Sequence, residues 1–382
     1  MIMKLLFTGD VNFRNKETIT AEESKTALAS VMPHFEKADY TIVNLECPLS
    51  DDDSAPIRKS GPNLISPKAC ICFLEEAKVD GATLANNHIG DYGRQPVIDT
   101  LELLAQKNIR NCGAGANIDE AYKAMYFEKD GIKVSVISSC ENEFGVATNH
   151  EYGSAGLNIK KIYNAIKREK ALADYVIVAF HGGNEQNPIP SPKQVERYRM
   201  FCDFGADAVI AGHTHCPQPA EYYGEKPIIY SMGNFFFSSF SQREATDPWF
   251  YGYMVMLDVT KDGIKYELIP YRAEDEVTRI RVFEGEEKAK MLAYLDSLAE
   301  IIKDEDEHLK YFKGWCYHID FYWADNPTKP GGLERLVQSK NIVNCEAHHE
   351  LLRTNYCMLI DEDRELGAQY WEKVSKLMKM PV

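Results

Sequence analysis

The chain reads as an α/β domain with a largely parallel core sheet, followed by a helical extension. Three observations predict this. Short apolar runs alternate with helical patterns from the N-terminus to about residue 260. Helix-start signals stand between several of those runs. Beyond about Gly285 the strand patterns stop and amphipathic helical periodicity takes over. The expected boundaries are 1–284 for the α/β domain and 285–382 for the extension.

In chain order, the strand candidates are residues 4–8, 40–44, 81–84, 133–138, 175–180, 208–211, 227–230 and 253–259. Thr20 and Glu23 form a capping-box pattern that opens the first helix. Ser66-Pro67 and Ser191-Pro192 each set a capping serine before a proline at the first helical position. Residues 95–107 and 159–173 supply further helices. From Tyr222 the strand runs follow one another without helices, so part of the sheet system is expected to be antiparallel. In the extension, residues 286–302, 344–359 and 366–378 read as helices. Residues 325–332 read as a turn-rich break, and the acidic run Asp304 to Glu307 as a solvated turn.

The composition narrows the function classes. Of 382 residues, 45% are hydrophobic and 26% charged, ordinary globular values that exclude a disordered or fibrous chain. Lys and Arg total 43 against 58 acidic residues, a formal charge of -15, and no basic block appears. That argues against a nucleic-acid or anionic-membrane partner. An anionic substrate, small or polymeric, must then be held by a few local cations or by metal ions. No apolar run approaches the roughly 18 residues of a membrane-spanning helix. The first residues reach Gly9-Asp10 before a signal-peptide core builds up, so a cytoplasmic protein is expected. Ten cysteines without a CxxC pair read as small buried apolar residues in a reducing compartment.

The chemistry collects where the strands end. Gly9-Asp10-Val11-Asn12 follows the first, Asn44-Leu45-Glu46 the second, and Asn86-Asn87-His88 through Asp91 the third. His181-Gly182-Gly183-Asn184-Glu185 and Gly212-His213-Thr214-His215 follow two more. Ligands of open α/β sheets bind just beyond the carboxyl ends of the strands. Each residue alone has a bland reading: Asp10 a turn former, Glu46 a solvated carboxylate, Asn87-His88 an asparagine turn, His181 a core histidine. Their joint placement favours one crevice. Imidazole, carboxylate and carboxamide donors without thiolate suit Mn, Fe, Zn or Ni. Asp10, Glu46, Asn87, His181, His213 and His215 are too many for one open catalytic ion. Two divalent ions sharing a bridging carboxylate fit better, and such a pair clamps a phosphoryl group for in-line attack. The glycines before Asp10 and His213 are expected to permit sharp turns.

This motif series resembles the calcineurin-like metallophosphoesterases, and within them the CapA family, named for a capsule or poly-γ-glutamate synthesis protein. The pieces that carry the resemblance are Gly9-Asp10, Asn44 to Leu49, Asn86-Asn87-His88 through Gly93, His181 to Glu185, Gly212 to His215, and Tyr230 to Phe235. They occur in family order. The resemblance implies a four-layer α/β-β/α sandwich. It also implies that Asp10 and His215 bind a first metal, that Asn87, His181 and His213 bind a second, and that Glu46 bridges. His88 becomes the general acid or a stabiliser of transition-state charge, Asp91 orients it, and Glu185 supports the site or touches substrate. Two positions depart from the pattern: residue 12 is Asn where His is frequent, and the bridge is Glu46 rather than Asp.

Other features carry weaker signals. The basic turn Arg58-Lys59-Ser60-Gly61-Pro62 is a candidate for holding substrate anions, against a solvated loop. Asn234 with the phenylalanines at 235–237 reads as core packing near the site. His348-His349 and Cys345 read as packing, because adjacent helical positions point about 100° apart. The leading expectation is a metal-dependent phosphatase or phosphodiesterase linked to capsule or polyglutamate metabolism. A non-hydrolytic accessory protein of that biosynthesis, or a metal-dependent amide hydrolase, are the rivals.

Overall fold

A computed structural model describes residues 1–13, 18–237, 243–274, 279–319 and 332–382. In chain order the strands are β1 (Met3–Asn12), β2 (Tyr40–Leu45), β3 (Gly81–Thr83), β4 (Arg110–Cys112), β5 (Ala114–Gly115), β6 (Met125–Lys129), β7 (Ile132–Cys140), β8 (Gly153–Ser154), β9 (Tyr175–His181), β10 (Ala208–Gly212), β11 (Ala220–Tyr223), β12 (Lys226–Ile229), β13 (Asn234–Phe237), β14 (Tyr251–Thr260), β15 (Gly263–Glu274) and β16 (Arg279–Val282). One sheet has the order β16-β15-β14-β1-β2-β3-β4, with β13 added beside the end of β1. A second runs β11-β12-β10-β9-β7-β6, and β5 and β8 form a small antiparallel pair. The central strands of both larger sheets are parallel, as the alternation of strands and helices predicts. After Tyr222 part of the sheet system is antiparallel, as expected: β12 on β11, β14 on β1 and β15, and β16 on β15, whereas β13 joins β1 and β12 joins β10 in parallel.

The period-2 pattern of β1 explains the layering. Met3, Leu5 and Phe7 project into a core shared with Val134, Val136 and Ile177 of the second sheet. Leu6 and Val11 project the other way, against Ala27, Leu28, Phe73 and Val97 of the helices that cover the first sheet. The second sheet's outer face is covered by helices Ile159–Lys170 and Pro192–Phe204, which bury Ile162, Ile166, Tyr198 and Phe201. The result is the expected four-layer α/β-β/α sandwich.

Two of three predicted caps form. Thr20 accepts from Glu23 N while the Glu23 carboxylate accepts from Thr20 N. Ser191 accepts from Gln194 N with Pro192 in the first turn. Ser66 does not cap. Its hydroxyl is engaged with Phe13 N and Cys47 Sγ, and Lys68–Cys70 opens instead as a short 3-10 turn. All ten cysteines are free and most are buried. No helix among the described residues is long and apolar enough to cross a membrane.

After Glu284 come helices Gly285–Ile301, Glu305–Ile319, Gly332–Asn344, Glu346–Ile360 and Arg364–Leu377. The first buries Met291, Leu295 and Leu298 in the inter-sheet core. Glu305–Ile319, Glu346–Ile360 and Arg364–Leu377 pack around Phe312, Trp315, Leu351, Met358 and Val374. The run Asp304 to Glu307 is not a solvated turn. It starts a helix, with Asp304 Oδ1 accepting from Glu307 N at 3.0 Å and the acidic first turn facing the positive end of the helix dipole. The predicted break at 325–332 lies outside the described residues except for Gly332, which begins a helix.

These helices are tied to the loops at the strand ends. Glu346 accepts from Asn142 N and Nδ2 at 2.9 and 2.6 Å. Glu350 accepts from Ser191 Oγ and Lys193 N. Asn341 Nδ2 donates to Ser60 Oγ and Glu143 Oε1 at 3.2 and 3.1 Å.

Candidate metal centre

Strand register brings the site together. Asp10 of β1 pairs with Asn44 of β2 on one side and Asn234 of β13 on the other, each pairing interrupted by a register shift next to Asp10. In the facing sheet His181 lies between Cys140 of β7 and Gly212 of β10. The two parallel cores present their carboxyl ends to the same crevice. There His213 N donates to Asp10 Oδ2 at 2.9 Å, joining the sheets.

The glycines before Asp10 and His213 act differently from the expected turn formers. Neither has a positive φ. A Cβ on Gly212 would stand 2.6 Å from Asp10 Oδ1, and one on Gly9 would stand 1.9 Å from Gly233 O. They are needed for close approach. The turn is carried by the histidines themselves, with φ +98° at His213 and +53° at His215. Such conformations cost non-glycine residues about 1–3 kcal/mol each and persist where the surroundings impose them.

Six predicted ligands converge. His181 Nε2 lies 3.1 Å from Asn87 Oδ1, 3.1 Å from His213 Nδ1 and 3.5 Å from Glu46 Oε1. Donor atoms held about 2.1 Å from one ion stand about 3.0–3.4 Å apart, so this spacing suits a single divalent cation. On the other side of Glu46, Asp10 and His215 bring ligand atoms within 4.8 Å of it and of each other. Glu46 belongs to both groups, the position a bridging carboxylate needs.

Electrostatics agree with that fit. Both Glu46 oxygens are buried without a hydrogen-bond partner among the described residues, an arrangement that is costly unless a cation compensates it. Burial pushes Glu46 up to about 8, and burial together with the Glu46 charge raises Asp10 to about 6. Burial lowers His181 to about 4 and also lowers His213. Neutral imidazoles around an unsatisfied carboxylate form a donor set suited to divalent metal.

Supporting side chains fix the ligands. Asn44 Nδ2 donates to Asp10 Oδ1 at 2.7 Å. His215 Nδ1 meets Asn234 Oδ1 at 2.8 Å, so its Nε2 is left facing Glu46. Asn234 is therefore part of the site, not packing alone, while the three phenylalanines after it are buried core. Asn12, at the departing position, donates its Nδ2 to the Glu46 carbonyl at 3.1 Å.

His88 Nε2 is 3.9 Å from Glu46 Oε1, and its Nδ1 is 2.6 Å from Asp91 Oδ2. The predicted partnership of Asp91 with His88 is present. Lys59 completes it, with Nζ 2.7 Å from Asp91 Oδ1 and 3.1 Å from His88 Nδ1. Its side chain is 1% exposed and lies over the Phe144 ring. Lys59 is thus engaged with Asp91 instead of open to a substrate anion, and burial with the nearby Lys59 charge lowers His88 to about 4. Arg58 and Glu185 remain exposed. Of the residues expected to pack, Cys345 is buried, whereas His348 and the exposed His349 border two different cavities.

Beside the cluster lies a chamber of about 520 Å³. Glu143, Asn184 and Glu185 border it from the strand-end loops, and Trp315, Asn341 and His348 from the C-terminal helices. Sequence reasoning missed Asn44, Asn234 and the chamber wall. The two asparagines could have been suspected because each sits in a motif already singled out.

The fold and this cluster define an α/β sandwich with a buried histidine–carboxylate centre able to hold divalent metal. The family model described as "Bacterial capsule synthesis protein PGA_cap" matches residues 4–239, more than half of the chain, and the chain belongs to that family. The chain is 29% identical over 245 residues to the capsule biosynthesis protein CapA of Bacillus anthracis, covering 62% of this chain and 60% of that protein. It is 28% identical over 241 residues to the PGA biosynthesis protein CapA of Bacillus subtilis (strain 168), covering 62% and 63%. It therefore spans only about three fifths of the length of these relatives. A solved 5′-nucleotidase precursor from Thermus thermophilus superposes with a TM-score of 0.42 at 13% identity, covering 80% of this chain and 60% of the other.

Proposed function

We propose that this chain is a divalent-metal-dependent phosphoester hydrolase acting within capsule or polyglutamate metabolism. The observation that carries the reading is the buried Glu46, shared by two groups of candidate ligands, with both oxygens lacking partners. Asp10 and His215 would hold one ion, Asn87, His181 and His213 the other, and Glu46 would bridge. Bound there, such ions supply Lewis-acid polarisation of the phosphoryl oxygens and activation of water. The chain's own residues supply the rest. Asn44 and Asn234 keep Asp10 and His215 in place. Asp91 and Lys59 hold the His88 ring so that Nε2 faces the cluster; a bound phosphoryl group would have to raise the lowered His88 pKa before Nε2 could donate to a phosphoryl oxygen or protonate the leaving group.

The test is hydrolysis of p-nitrophenyl phosphate and its bis-ester by protein loaded with Mn, Fe, Zn or Ni. Turnover should need metal, vanish with chelator and fall about a hundredfold in His88→Ala. Absence of metal-dependent turnover in folded, loaded protein would overturn the hydrolytic reading. A second reading draws support from the names of the relatives, both biosynthesis proteins. In it the cluster serves a non-hydrolytic accessory role in polymer production, with metal-dependent binding of glutamyl polymer and no cleavage of either phosphoester or amide.

A further inference from the structure

We propose that the chain carries a second ligand site, a cationic cleft beside the His88–Asp91 segment that binds a ligand bearing two or more oxyanion groups. The cleft measures about 790 Å³, and Gly90 and Gly93 border it on either side of Asp91. Arg58, Arg94 and Lys340 line it together. They come from three separate parts of the chain: the loop after β2, the first residue of helix Arg94–Gln106, and helix Gly332–Asn344. All three are exposed.

Their state is what distinguishes them. Lys59, next in sequence to Arg58, is spent on Asp91. Among the described residues none of the three makes an ion pair with a carboxylate. Arg94 lies over the Tyr152 ring at 4.7 Å, which orients the guanidinium and leaves its charge uncompensated. Two carboxylates also border the cleft. Asn341 Nδ2 donates to Glu143 at 3.1 Å without cancelling its charge, so the lining carries three cations against two carboxylates, with His150 beside Glu151. On a chain of formal charge -15 most of the surface repels anions, so a cavity gathering unpaired cations is a local exception. Cations arriving from three segments match several oxyanions spread along a ligand better than one compact anion. Glu143 borders both this cleft and the chamber beside the metal cluster, so the two cavities adjoin. Lys340 lies outside the family-matched residues 4–239, which makes the site a property of the chain with its C-terminal helices. The proposal does not rest on the hydrolytic reading.

The test is calorimetric binding of a linear glutamate hexamer and of tripolyphosphate to the metal-loaded full chain. These probes are the carboxylate and phosphate forms of the same chemistry. At least one should bind with an affinity that falls as salt rises. The double variant Arg94→Glu, Lys340→Glu should weaken that binding about tenfold or more. Arg58→Gln, on an exposed loop, should weaken it about threefold. Loss confined to one probe identifies the oxyanion. Undiminished binding in the double variant, or no binding of either probe, would overturn the proposal.

Discussion

Replacing Glu46 by Gln should flatten the pH dependence of stability in the metal-free protein. Burial raises the Glu46 carboxyl from its usual 4.5 to about 8. The unfolded chain releases that proton near 4.5, whereas the folded chain keeps it until about 8. Each step upward in pH between those values therefore favours the unfolded state. By pH 7 the loss is about 3 kcal/mol, at 1.36 kcal/mol per pH unit. An unfolding entropy of about 2 cal/mol/K per residue, taken over 382 residues, turns this into a fall of about 4 °C in Tm. Asp10 adds to the slope in the same direction, and Glu46 is the second cause of its rise, so the substitution relieves both. The buried Gln amide brings its own cost, but that cost does not change with pH. Thermal unfolding would be followed from pH 5 to 8 with chelator present, for wild type and Glu46→Gln. The wild-type Tm should fall relative to the variant, and added Mn should restore it in the wild type alone. Parallel curves for the two proteins would refute the reasoning.

Lys59→Met leaves Asp91 buried opposite a neutral partner and should cost about 3–5 kcal/mol of stability, read by urea unfolding. Asn234→Ala removes the acceptor that orients His215 and should weaken divalent-metal affinity about 10- to 100-fold, read by competition with a chromogenic chelator.

The reading of the fold succeeded where patterns are local. β1, β2, β7 and β9 are apolar runs bounded by turn residues, and the caps at Thr20 and Ser191 are formed by neighbours three residues away. Ser66 failed as a cap because a distant partner, Phe13 N, engages its hydroxyl. The acidic run at Asp304 was misread because acidic residues suit both a solvated turn and the first turn of a helix. β13 was missed because four residues carry too little periodicity to outweigh a packing interpretation.

The same division runs through the site. Which residue types gather at the strand ends was determined by the sequence alone, since each candidate ligand directly follows an apolar run and the order of motifs is written in the chain. How those residues are used was decided only by the tertiary structure. Lys59 and Arg58 are adjacent and alike in charge, yet one is 1% exposed on Asp91 and the other is open to a cleft. Gly212 reads as a turn residue until Asp10, two hundred positions away, is seen to occupy the space its Cβ would need. Burial, partner choice and close approach between distant segments depend on how the sheets and the C-terminal helices pack, and no local pattern encodes them.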